Sequence, residues 1–160
     1  MENFDLFILA RTLHVVGVVL WIGGVAFVTT VLIPSLKQIT DTDNRLELFE
    51  KLEGKFAFQA RIVTLITGIS GYFMLDYMNA WDRYLQLAFW WMHLMTLIWA
   101  IFTIVLFVLE PLVLHRWFKK QALRDSETAF AWLHRMHKVL LTLSLVAVLG
   151  AVAGSHGFQF

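Results

Sequence analysis

The chain of 160 residues contains no cysteine, so disulfide bonds, thiolate zinc sites, iron–sulfur clusters and cysteine nucleophiles are all excluded. Charged residues are also scarce, at 16% of the chain against about 25% in a typical soluble domain. Hydrophobic residues instead reach 59%. The 13 basic and 12 acidic residues nearly balance, which gives no reason to expect a nucleic-acid partner. This composition argues against an ordinary cytosolic enzyme and for a protein that lies in a lipid bilayer.

Four long apolar stretches follow one another along the chain, separated by short polar segments. The hydrocarbon core of a bilayer, about 30 Å thick, is crossed by roughly 20 consecutive apolar residues in a helix. Of the two prolines, Pro34 ends the first stretch and Pro111 interrupts the third. We therefore predict an all-α fold, a single four-transmembrane-helix bundle over residues 1–160, with spans at Leu6–Ile33, Phe56–Met78, Tyr84–Leu114 and Ala129–Gly157.

A polar segment, Lys37–Lys55, joins the first two spans. It mixes charges with Leu46 and Phe49, a pattern typical of a short helix that lies at the membrane interface. Asp43 or Asn44 is predicted to cap the start of this interfacial helix.

The basic residues are distributed unequally between the two sides of the bundle. Two of them, Arg11 and Arg83, fall on the side of the termini and the second loop. The other eleven fall on the side of the first and third loops: Lys37, Arg45, Lys51, Lys55, Arg61, Arg116, Lys119, Lys120, Arg124, Arg135 and Lys138. Because basic residues accumulate on the cytoplasmic side of membrane proteins, we predict an inner (cytoplasmic) membrane protein with both termini in the periplasm.

Two histidines are predicted to lie at the same depth, in the half of the membrane nearer the termini. His14 comes eight residues after Leu6 and His93 nine residues after Tyr84, on helices that enter from the same side. His156, at the end of the fourth span, approaches the same layer. Polar side chains at this depth are costly and by default mark a functional site. The alternative is that each histidine hydrogen-bonds a neighbouring helix.

Haem b fits this pair of histidines, because its iron accepts two axial imidazoles and its apolar macrocycle suits the interior of a bundle. The predicted ligands are His14 and His93, with His156 as a substitute. Trp21 lies on the helical face of His14 and is placed to line a porphyrin. Gly17 leaves room either for a porphyrin or for close contact between helices.

Two further interpretations of the ionisable and sulfur-containing residues stay open. A second haem held by His137, near the opposite surface, would make the protein a two-haem conduit. Copper(I) suits thioether and imidazole ligands, and four methionines lie in the same half as His14: Met74, Met78, Met92 and Met95. Methionine is also a common gap filler in apolar cores.

The segment Leu13–Gly24, with the sequence LHVVGVVLWIGG, resembles the first helix of two related membrane families: the HemJ-type protoporphyrinogen oxidases and the CopD-like proteins. The resemblance extends more loosely over most of the chain, through the segment Glu50–Lys55 before the second span and the Trp/His start of the third span. It implies that His14 carries a b-type haem in a four-helix scaffold. Met95 stands where the oxidases have a lysine, so it is the haem-binding scaffold, rather than the oxidase activity, that the resemblance implies.

We therefore expect a membrane haem protein in electron transfer or haem-dependent oxidation, an oxidoreductase whose partner is a quinone or a porphyrinogen. Copper transport or homeostasis, as the CopD-like resemblance implies, is a second hypothesis. A third is a structural small subunit, assembled as a homo-oligomer or within a larger respiratory membrane complex.

Overall fold

The computed structural model describes residues 2–158, apart from the side chains of Glu2 and His115. Met1, Gln159 and Phe160 lie outside the described residues. The prediction that both termini lie in the periplasm concerns these residues in part. The described part of the chain is helical and contains no β-strand.

Six α-helices form the described chain: α1 Glu2–Phe27, α2 Ile33–Leu36, α3 Thr42–Tyr77, α4 Trp90–Ile104, α5 His115–Arg124 and α6 Ser126–Ser155. Two π-helical segments continue α1 and α4, over Val28–Leu32 and Val105–Leu114, and two 3₁₀ turns precede α4, over Trp81–Leu85 and Leu87–Phe89. Together they make four stretches long and apolar enough to cross a membrane: Asn3–Leu36, Thr42–Tyr77, Leu87–Leu114 and Ser126–Ser155. The predicted all-α class and the four apolar spans are confirmed.

A separate interfacial helix is not confirmed, because the segment after Asp41 is the first part of the continuous helix α3. At 1.5 Å per residue its 36 residues extend about 54 Å, well beyond a hydrocarbon core of about 30 Å. No proline interrupts α3, so nothing in its backbone forces a break. The cap is Asp41, which accepts hydrogen bonds from the backbone N–H groups of Asp43 and Asn44; the prediction of those two residues as caps was wrong.

The four spans form a ring in which neighbours pack side by side. α1 packs along α3, and α4 along α6; α1 also contacts α6, and α3 also contacts α4. Consequently α1 and α4 lie diagonally opposite each other. We call the end where α1 begins and α6 ends the terminal end, and the end that carries eleven of the 13 basic residues the basic end.

The outer faces of the spans are apolar. Large aliphatic side chains such as Val19, Ile69, Leu149 and Val152 are exposed along the helices. A helix that exposes such side chains is stable where lipid tails rather than water surround it. The four apolar helices therefore fit a membrane protein.

Arg61 repairs a gap in the backbone hydrogen bonding of the third span. In a π-helix a carbonyl accepts from the N–H five residues later, and the partner of Leu106 would be Pro111, which has no N–H. The Nε–H of Arg61 on α3 donates to the Leu106 carbonyl at 2.9 Å instead. The same guanidinium pairs with the carboxylate of Glu110. Arg61 thus joins α3 to the proline-containing segment of the third span.

We expect Arg61→Ala to lower the free energy of unfolding by about 1–3 kcal/mol, the cost of leaving a buried acceptor without its donor. The measurement is the unfolding midpoint in detergent, with Arg116→Ala at an exposed position as the control. Pro111→Ala restores an N–H at position 111, so in that background the loss on removing Arg61 is smaller. An equal loss in both backgrounds would show that Arg61 does not replace the missing N–H.

Candidate cofactor site

A cavity of about 490 Å³ lies at the terminal end between the four spans. This volume is within the range of about 300–1,000 Å³ found for ligand and cofactor pockets. All four spans line it, for example through His14 on α1, Gly71 on α3, Met95 on α4 and Ala147 on α6. Most of its wall is apolar or aromatic, so a group bound here is shielded from water.

His14 is oriented by α3. Its Nδ1 lies 2.9 Å from the backbone carbonyl of Thr67, and the Ser70 hydroxyl is 3.4 Å from the same nitrogen. Because a carbonyl can only accept, Nδ1 carries the proton, which leaves the lone pair of a neutral imidazole on Nε2. A histidine that binds a metal typically donates its other ring N–H to a carbonyl or carboxylate in this way. His14 therefore has the tautomer and the backbone hydrogen bond that are typical of a metal-binding histidine.

The Thr67 carbonyl is accessible because of a glycine. In an α-helix this carbonyl accepts from the N–H of residue 71, and residue 71 is Gly71. A Cβ at that position would lie 3.1 Å from Cε1 and 3.3 Å from Nδ1 of His14. Because Gly71 has no side chain, the His14 imidazole can approach the Thr67 carbonyl, which also accepts a hydrogen bond within α3.

Gly17 sets the distance between α1 and α3. It is buried, and a Cβ added there would overlap the Oγ1 of Thr67. That hydroxyl is itself fixed by a hydrogen bond of 2.8 Å to the Val63 carbonyl. Gly17 does not line the cavity, so of the two uses predicted for it, the structure provides close contact between helices.

Tryptophans contribute to the cavity wall: Trp21 from α1, and Trp91 and Trp99 from α4. Trp99 donates its Nε1–H to the Thr64 carbonyl at 2.9 Å. Trp21 is only 4% exposed, yet its indole Nε1 has no hydrogen-bond partner among the described residues. Buried donors are usually paired, so an acceptor on a group bound in the cavity would satisfy this one.

The four methionines of the terminal half all line the cavity. Met74 and Met78 belong to α3, whereas Met92 and Met95 belong to α4. Their thioethers and the His14 imidazole are candidate metal donors on three helices that line the cavity, α1, α3 and α4.

The rim of the cavity is formed by the 3₁₀ turn that follows α3. Trp81, Arg83 and Tyr84 all line the cavity, and the rings of Trp81 and Tyr84 stack with centroids 6.3 Å apart. The Tyr84 hydroxyl lies 2.7 Å from Oγ1 of Thr96 on α4, which holds the turn against the bundle. Arg83 brings a cation to the rim and packs over the ring of Phe89. Sequence reasoning missed Arg83 as a site residue, although it is one of only two basic residues at this end.

His93 and His156 do not line the cavity. The Nε2 of His93 lies 2.9 Å from the Tyr84 carbonyl and its Nδ1 is 3.3 Å from that of Phe89, so His93 contacts the turn that forms the rim. His156 is exposed, with Nδ1 2.7 Å from the Val152 carbonyl. The structure thus brings His14 and Trp21 to the cavity, and it holds His93 and His156 on backbone groups nearby. No cluster of three or more His, Cys, Asp or Glu side chains that could hold a metal ion occurs among the residues described.

A smaller cavity of about 130 Å³ lies toward the basic end and is lined by His137, Glu53 and Glu110 among others. Nδ1 of His137 is 3.0 Å from the Leu133 carbonyl. This volume is well below the range of about 300 Å³ and more that ligand pockets occupy. A second haem at His137 stays a prediction to which this cavity lends no support.

No protein-family model, no curated protein and no solved structure matches this chain. The fold and the site define a four-span helical protein with a preformed apolar cavity at one end. The resemblance of its first helix to the two haem- and copper-associated families stays a prediction.

Gly17→Ala is expected to lower the free energy of unfolding by about 1–3 kcal/mol, the usual cost of an extra methyl group in a packed interface. Gly23→Ala, on the same helix, is the matched control, because a Cβ there meets nothing within 4 Å and alanine favours the helix. The unfolding midpoints of the two variants in detergent make the comparison. Equal midpoints would mean that Gly17 does not set the distance between α1 and α3.

Proposed function

We propose that the protein is a b-type haem protein of the membrane, with haem b in the terminal-end cavity and His14 as an axial ligand. The observation that carries this proposal is the hydrogen bond from Nδ1 of His14 to the Thr67 carbonyl, which leaves Nε2 free to bind iron. Only one or two side chains are needed to ligate a haem iron, so the lack of a three-residue metal cluster in the described chain does not count against it.

The other residues of the cavity suit the same group. The apolar and aromatic wall matches a macrocycle, Arg83 at the rim is placed to pair with propionate groups, and Trp21 has an unused hydrogen-bond donor. When bound, haem b supplies one-electron redox chemistry, while the protein sets ligation, access and potential. The Thr67 carbonyl fixes the His14 tautomer and raises the basicity of the imidazole, which strengthens its bond to a metal.

Electron exchange with a partner dissolved in the bilayer, a quinone or a porphyrinogen, is the proposed role. The four spans leave the cavity within the membrane, where both classes of molecule are found. The resemblance of Leu13–Gly24 to the HemJ-type and CopD-like first helices supports the haem-binding scaffold. Since Met95 replaces the lysine of the oxidases, we favour electron transfer over porphyrinogen oxidation.

Copper(I) handling is the second candidate, favoured by the four thioethers that share the cavity with His14. A bare ion requires its ligands to converge to roughly 2–2.3 Å from one point, by analogy with zinc–nitrogen and zinc–sulfur distances. A cavity of about 490 Å³ is far larger than the space that a single ion fills. The space therefore favours a large organic group over an ion.

Purified protein is expected to contain iron and to show the absorption bands of a b-type haem, and His14→Ala is expected to lose or shift those bands. His134→Ala is the matched control, because His134 contacts the Thr29 carbonyl toward the basic end, whereas the cavity lies at the terminal end. Metal analysis of the same samples separates the two candidate functions. Stoichiometric copper without haem, after expression with adequate haem, would reverse their order.

The same proposal places the protein in the inner membrane with its terminal end in the periplasm, on the basis of the eleven basic residues at the other end. In that orientation the cavity opens toward the periplasmic half of the bilayer, and the Arg61–Glu110 pair lies in the cytoplasmic half.

A reporter fused after Phe160 is expected to be active only if it functions outside the cytoplasm, and one inserted near Lys119 only if it functions inside. Two complementary reporters, one for each compartment, provide the measurement at both positions. Activity of the cytoplasmic reporter at Phe160 would reverse the orientation and put the cavity on the cytoplasmic side.

A further inference from the structure

We infer that the second axial ligand of the group in the cavity is the thioether of Met95, so that ligation is by one histidine and one methionine. This inference rests on the proposed haem function. It differs from the ligand pair that depth along the helices predicts, His14 with His93.

The direction of the His14 ring limits where its partner can lie. Nδ1 faces α3 through the Thr67 carbonyl, and the two nitrogens of an imidazole point to opposite sides of the ring. Nε2 is therefore turned away from the Thr67 carbonyl, and His14 is among the residues that line the cavity. α4 lies diagonally across the ring of helices from α1, and it forms the wall on the far side of that cavity. A ligand opposite His14 accordingly comes from α4.

The register between α3 and α4 sets the level of that ligand. Gly68 contacts Trp99: a Cβ at Gly68 would lie 2.5 Å from the indole Cζ2. The two helices are antiparallel, so one turn toward the terminal end leads from Gly68 to Gly71 on α3 and from Trp99 to Met95 on α4. Gly71 is the residue that faces the His14 ring. Met95 and His14 thus lie at one level on opposite walls.

The other sulfur and nitrogen donors are less well placed. Met92 lies three residues, or about 4.5 Å, further toward the terminal end of α4. Met74 belongs to α3, the wall that holds Nδ1 of His14. His93 is exposed and has both ring nitrogens on backbone carbonyls, so as a ligand it would have to give up its contact with Tyr84. Met95 reaches the cavity without breaking a hydrogen bond.

Histidine–methionine ligation gives a haem a higher reduction potential than ligation by two histidines. The neutral thioether donates less electron density to ferric iron than an imidazole does. A site of this kind is suited to accept electrons from a reduced partner in the membrane.

The test uses the purified, haem-loaded full chain and compares Met95→Leu with Met92→Leu, a matched substitution on the same helix and in the same cavity. Loss of the thioether is expected to abolish the ferric thioether-to-iron charge-transfer band, convert the spectrum to high spin and open a position that binds added imidazole. Met92→Leu and His93→Ala are expected to keep the wild-type spectrum. Met95→His is expected to restore a low-spin spectrum with a lower reduction potential.

Each alternative result has a definite meaning. An unchanged spectrum in Met95→Leu, with conversion to high spin in His93→Ala, would overturn the assignment and make His93 the ligand while the haem function stands. Conversion in Met92→Leu alone would move the ligand by one turn and overturn it as well. Wild-type protein without haem would overturn both this assignment and the proposed function.

Discussion

The hydrogen bond between Nδ1 of His14 and the Thr67 carbonyl is the interaction on which the site depends. It requires α1 and α3 to approach closely, which the absence of a side chain at Gly17 permits, and it requires an accessible carbonyl, which Gly71 provides. In return it fixes the tautomer and direction of an imidazole inside a membrane, where an unpaired N–H would be costly. One contact thus links the packing of two helices to the chemistry of the cavity.

Side-chain donors bound to backbone carbonyls recur through the bundle. Trp99 on α4 reaches the Thr64 carbonyl of α3, and Arg61 on α3 reaches the Leu106 carbonyl of the π segment. Both contacts tie the same two spans together, at different depths. Since lipid offers no hydrogen bonds, such donors stabilise the approach of helices and also compensate for irregular backbone, as Arg61 does opposite Pro111. Trp99 and Arg61 therefore use their donors to hold helices together. His14 does the same through Nδ1, but it alone of the three also has a nitrogen with a free lone pair.

The sequence predicts how far along a helix a residue lies better than it predicts the direction in which the side chain points around the helix axis. The four spans and the place of His14 and Trp21 follow from hydropathy and spacing. Depth alone pairs His93 with His14, but the residues around His93 are apolar apart from Thr96, so the hydropathy pattern does not show which face of α4 turns inward. Arg45 illustrates the same limit: it counts as one of eleven basic residues, yet it is buried on the Ile39 carbonyl and Glu127. Such partners arise only from tertiary packing.

The two walls of the cavity differ in how firmly their backbone is held. The wall that carries His14 is formed by two long α-helices, α1 and α3, which pack closely against each other. The Met95 wall is the short helix α4, which begins after two 3₁₀ turns and continues as a π segment that contains Pro111. Methionine is itself a flexible side chain. In the proposed haem site, a rigid imidazole opposite an adaptable thioether would let a bulky planar group enter while one ligand stays fixed. The hydrogen bonds of Trp99 and Arg61 join the adaptable wall to α3.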